Sequence, residues 1–64
     1  MIERLKAEKA ELDGKLCMLL LFTQHSPTFK DLSKREQELL TLQGYWMQCY
    51  SAVLEERLKL KENQ

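Results

Sequence analysis

Apolar residues fall on one stripe through the first third of the chain: Ile2, Leu5, Leu12, Leu16 and Leu19 recur at the three- and four-residue steps of a helix that keeps one seam toward a partner. A second stripe runs through Leu39, Trp46, Tyr50, Val53 and Leu58. The pattern predicts a helix over residues 2–24, a break over 25–32 and a second helix over 33–61: an all-α, antiparallel two-helix hairpin in a single domain. Helix formers dominate the first segment. In the break, Ser26 before Pro27 reads as an N-cap with proline at the first helical position, which predicts a short turn through Phe29 to Leu32. Ser33 and Glu36 then form the serine-to-glutamate spacing of a capping box, with the hydroxyl bonding forward and the carboxylate reaching back.

Lys9 interrupts the first seam. It either fixes register as a charged insert or lays its stem along the seam and lets its ammonium reach water. Beyond Leu16 the pattern changes, since Cys17, Met18, Leu20, Leu21 and Phe22 add apolar side chains all round the helix, a sign of burial from several sides. The second helix carries two rows: Leu39, Leu42, Trp46, Cys49, Val53 and Leu60 form one, and Leu40, Met47, Tyr50, Leu54 and Leu58 the other. One antiparallel helix cannot cover both. One row is expected to meet the first helix and the other a second copy of the chain, with a dimeric four-helix bundle as the simplest closure.

Size points the same way. Sixty-four residues lie in the range where a disulfide, a metal or oligomerisation supplements the core. Cys17 and Cys49 sit among apolar neighbours without the dense spacing of a secreted scaffold, and read as reduced core residues of a protein in a reducing cytoplasm. The seven apolar residues from Leu16 to Phe22 are far short of the roughly 20 that span a bilayer, and neither a membrane partner nor a signal peptide is expected. Ten basic and ten acidic residues give zero formal charge, which disfavours long nucleic acid as a partner and requires any anionic ligand to be held by a local cluster.

Catalytic groupings are absent from the pattern. One histidine, no glycine-rich phosphate loop and no nucleophile elbow argue against an enzyme, and no cofactor is implied. His25 with Cys17 and Cys49 fits no metal-ligand spacing, so no metal is expected. What remains suits a small nucleotide: Tyr45 and Trp46 can stack on a base, while His25, Ser26, Thr28, Lys30, the basic pair Lys34 and Arg35, and the amides opening the second helix can hold phosphates. Trp46 and Tyr50 also fit a purely structural role in the apolar rows. Tyr45 projects off both rows and has no such role.

The segment Leu42-Gln43-Gly44-Tyr45-Trp46-Met47, followed by Ala52-Val53, resembles the hairpin domain of phage anti-CBASS sponge proteins and of one class of Thoeris anti-defence proteins. The chain is also similar to a group of small phage proteins whose second helix carries the features seen here at Leu39-Leu40-Thr41-Leu42-Gln43 and from Tyr50 through Leu54-Glu55-Glu56-Arg57. The resemblance implies a phage counter-defence protein in the cytoplasm of an infected bacterium, one that oligomerises and traps a cyclic di- or trinucleotide signal without cleaving it. Where the sponge pattern has a basic residue between the Met and the Ala-Val, this chain has Ser51, so the charge would come from Arg35, Lys30 or Arg57. A second expectation, from another class, is a module that covers a helical face of a host protein with its own apolar row.

Overall fold

The computed structural model describes residues 2–63. Three helices follow in order, α1 (Ile2–His25), α2 (Pro27–Asp31) and α3 (Lys34–Glu62), with α1 and α3 packed antiparallel in a rod of 48 × 15 × 13 Å. The expected break is helical for most of its length. His25 closes α1, and Ser26 caps α2 by accepting a hydrogen bond from the Thr28 amide at 3.2 Å. Only half of the expected capping box forms at α3: the Ser33 hydroxyl accepts from the Glu36 amide at 3.1 Å, and among the described residues no bond returns from the Ser33 amide to the Glu36 carboxylate. Gln37 takes over the end of α2, its side-chain amide donating to the carbonyls of Lys30 at 3.3 Å and Leu32 at 3.0 Å. Orphan carbonyls at the end of a five-residue helix are thereby satisfied by α3 itself.

On α3 the inward face is one unbroken three-and-four register of Gln37, Leu40, Gly44, Met47, Ser51, Leu54, Leu58 and Lys61, each at least partly covered. This is the expected second row with one exception. Tyr50 lies off it, half-exposed, and donates its hydroxyl hydrogen to the Glu8 carboxylate instead of packing its ring in the seam. The first row, from Leu39 to Leu60, faces away from α1. Trp46 is 60% exposed and Val53 55%.

Among the described residues the buried apolar side chains are Leu5, Leu54 and Leu58, with Ile2 and Leu12 packed against them, so the side-chain core sits at the open end of the hairpin, while Gly44 is buried nearer the bend. Halfway along, the seam turns polar. Lys9 Nζ lies 2.7 Å from Asp13 Oδ2 and 3.7 Å from Glu55 Oε2, and Ser51 Oγ donates to Asp13 Oδ1 at 2.5 Å. Lys9 thus takes part in a cross-helix network rather than simply reaching water. Toward the bend, Cys17 is exposed and not a core residue, because it points away from α3; Met18 and Leu21 share that outer side. Cys49 is half-buried, and both thiols are free. Among the described residues no helix is long and apolar enough to cross a membrane.

Candidate functional site at the bend

The loosely packed end of the hairpin is where concave surface appears. Gly44 is buried where α3 passes Leu19 and Leu20 of α1; a Cβ built there would meet their Cδ2 atoms at 3.6 and 3.8 Å, an ordinary contact. A cleft of about 360 Å³ opens beside it, between Leu19, Leu20 and Thr23 on one wall and Leu40, Gly44 and Gln48 on the other. A second recess of about 490 Å³ lies over the first turns of α3, lined by Phe29, Lys34, Gln37, Glu38, Thr41, Leu42 and Tyr45. Both volumes fall within the range of small-ligand sites. Phe29, Thr41 and Tyr45 line both hollows.

Local sequence explains these positions. Phe29 is held by the short helix that Ser26 and Pro27 start, and its ring meets Phe22 edge-to-face with centroids 5.9 Å apart. Thr41 turns its hydroxyl back to the Gln37 carbonyl at 2.9 Å, which leaves its methyl group for the recess. Tyr45 and Trp46 pack edge-to-face at 5.2 Å. Tyr45 lines the recess, and Trp46 continues the outward apolar row.

The recess is apolar with a charged rim. Lys34 is its cation and Glu38 its anion, and Glu38 is turned toward Arg35, whose guanidinium stands 3.6 Å away. Of the residues singled out from the sequence, Tyr45 lines both hollows and Lys34 lines the recess; the others line neither. Arg35 touches the rim through Glu38 and is otherwise 76% exposed. Lys30 gives its carbonyl to Gln37 and Ser26 gives its hydroxyl oxygen to the α2 cap. His25, Thr28 and Lys30 present exposed side chains around the bend. Arg57 is elsewhere: it follows Arg35 by about 33 Å along α3 at 1.5 Å per residue, too far to reach the bend within one chain.

Phe29 and Thr41 were missed as site residues, and of the basic pair Lys34 and Arg35 it is Lys34 that lines the recess. Lys34 and Arg35 are indistinguishable as adjacent first-turn cations until the helical phase is fixed, and Gln37, the inward residue three positions on from Lys34, was the available signal. Ser51, the departure from the basic residue of the sponge pattern, faces α1 and is bonded to Asp13, so a side chain here serves the seam. Among the described residues no three histidine, cysteine or acidic side chains gather as a metal site would require.

Comparison with known families adds one finding. A family model matches residues 1–60, nearly the whole chain. The chain belongs to the Sequestin family. The match takes in α1, the bend and all of α3 except its last two residues, so it covers the Sequestin hairpin together with both hollows. No curated protein and no solved structure matches.

Proposed function

We propose that this Sequestin-family chain is a phage counter-defence protein that sequesters a cyclic di- or trinucleotide immune signal by binding it, without cleaving it. The observation that carries the reading is the family match over residues 1–60, to a family whose name denotes sequestration. The bend supplies compatible chemistry. An aromatic wall of Tyr45 and Phe29 suits stacking on a base, and base–aromatic stacking contributes roughly 1–3 kcal/mol per base. Lys34 on the rim suits a phosphate, with Arg35 free to exchange Glu38 for the ligand. His25, Ser26, Thr28 and Lys30 flank the same end and complete the proposed contact set, while Trp46 stands beside Tyr45. Trapping also requires an assembly that encloses the ligand, because each hollow of the single hairpin is open on one side.

The test is calorimetric titration of the protein with a panel of cyclic di- and trinucleotides and cyclic ADP-ribose isomers, followed by heat release and mass analysis of the ligand. Saturable heat and recovery of the ligand at its original mass support sequestration. A ligand returned as linear product overturns the non-cleaving reading. Absence of heat at high micromolar concentration overturns nucleotide binding and leaves the apolar α3 row as the surface for a host protein.

A further inference from the structure

Lys34, Glu38, Thr41, Leu42 and Tyr45 follow one another along a single face of α3 and line the recess, with Phe29 of α2 beside them. That face is graded. A cation stands in the first turn, a carboxylate one turn on, roughly 6 Å along the axis, and the apolar and aromatic wall comes after it. Glu38 is the one carboxylate among the described residues that line either hollow at the bend. The neighbouring cleft offers neutral polar groups instead, those of Thr23, Gln24, Thr41 and Gln48. The ion-pair partner of Glu38 is Arg35, outside the recess, at 3.6 Å.

A carboxylate in the wall of a hollow that takes an anion repels its ligand. The repulsion is offset where the ligand presents hydrogen-bond donors, because a carboxylate only accepts. Base edges differ in this respect. Guanine presents two adjacent donors, N1–H and the 2-amino group, matched to the two oxygens of one carboxylate. Adenine sets its amino donor beside the N1 acceptor, cytosine sets its own beside N3, and uracil flanks one donor with two carbonyls, so each turns a lone pair toward the acid. We propose that Glu38 reads the Watson–Crick edge of guanine, so that the recess takes a guanine-containing cyclic nucleotide in preference to one built from adenine alone; this rests on the sequestration reading. The order of side chains along α3 sets the pose. The base stacks on Tyr45, its edge meets Glu38, and the phosphate reaches Lys34 one turn nearer the start of the helix. When Arg35 leaves Glu38 for a phosphate, both carboxylate oxygens become free for the two guanine donors, a charge-assisted bidentate pair.

Calorimetric titration of the intact chain with cyclic diguanylate, cyclic diadenylate and cyclic diinosinate, which keeps N1–H but lacks the 2-amino group, tests this. Affinity is expected to fall in the order guanine, hypoxanthine, adenine. Glu38→Gln should weaken the guanine ligand by roughly tenfold or more, the contribution of a hydrogen bond to a charged group, and leave the adenine ligand unchanged or tighter, with helicity by circular dichroism retained. Glu36→Gln, which removes a carboxylate outside the recess, should leave the order as it is. Equal affinity for guanine and adenine in the parent chain would overturn the assignment while leaving sequestration standing. So would a Glu38→Gln variant that gains affinity for all three ligands alike, which marks Glu38 as a mere repelling charge, or a Glu36→Gln variant with the same loss. If none of the three ligands binds, the guanine assignment falls, and sequestration falls with it only if the wider panel of cyclic trinucleotides and cyclic ADP-ribose isomers is also silent.

Discussion

Lys34 and Arg35 are neighbours in sequence with different surroundings, and the difference sets what each can contribute. Lys34 lines the recess while Arg35 lies outside it, paired to Glu38 at 3.6 Å on the open surface. Lys34→Ala is therefore expected to weaken binding of a cyclic nucleotide by about 1.5–3 kcal/mol, the contribution of a hydrogen bond to a charged group. Arg35→Ala should cost less than about 1 kcal/mol, as exposed pairs do. Calorimetry on the two variants ranks them, and a larger loss from Arg35→Ala would move the phosphate out of the recess. Gly44 is the second telling residue. An alanine Cβ would make ordinary contacts with Leu19 and Leu20 at 3.6 and 3.8 Å, and glycine costs roughly 0.5–1 kcal/mol in a helix interior. Gly44→Ala should raise stability by about that amount in a denaturant melt while narrowing the adjoining cleft. A fall in stability would show that α1 and α3 cannot accommodate the methyl group.

At the scale of elements, the polar layer between α1 and α3 couples the hairpin to pH. The hydrogen bond from Lys9, then that from Ser51, holds the Asp13 carboxyl below its ordinary 3.8, and the same bond to Asp13 holds Lys9 above its ordinary 10.5. A carboxyl with a lowered pKa in the folded chain contributes stability above 3.8 and loses it as pH falls past that value. An ammonium with a raised pKa contributes below 10.5 and loses it as pH rises past that value. Melting temperature is expected to be level between the two and to fall at either extreme, and Asp13→Asn should flatten the acid side. An unchanged acid limb in that variant would separate Asp13 from acid unfolding. The helices, the break and the Ser33 cap were readable from periodicity and punctuation, because those signals are local. The Lys9–Asp13–Ser51–Glu55 network was not, because it joins residues 38 or more positions apart, Asp13 with Ser51 among them, and depends on the register between two helices. For the same reason the aromatic wall was readable at Tyr45, which had no other use, and hidden at Phe29, whose position is set by α2 folding back on Phe22.

For the whole molecule, three buried leucines are a small core for 62 described residues. Burying a leucine contributes about 1.5–3 kcal/mol, whereas ordering each residue's backbone costs roughly 1–2 kcal/mol. The hairpin alone is expected to be marginal, and its melting temperature should rise with protein concentration, as it does when folding is linked to association. Trp46 is the only tryptophan, so its emission should shift to the blue over the same concentration range. A melting temperature independent of concentration from low to high micromolar would identify a self-sufficient monomer. Whether two apolar rows lie side by side or on opposite flanks of a helix cannot be judged from apolar content alone, and here the answer turns on which row α1 takes.

That the core lies at the open end, with the hollows at the bend, reverses the usual mechanics of a hairpin. Such structures ordinarily zip outward from the turn, where the shortest loop closes first. Here the two free ends are stitched by Leu5, Leu54 and Leu58, and the turn is held mainly by Gln37 clasping two carbonyls and by the Phe22–Phe29 contact. Amide hydrogens around Thr23 and Leu40 should consequently trade for deuterium sooner than those around Leu5 and Leu54, so that the molecule breathes at its fold while its ends stay shut.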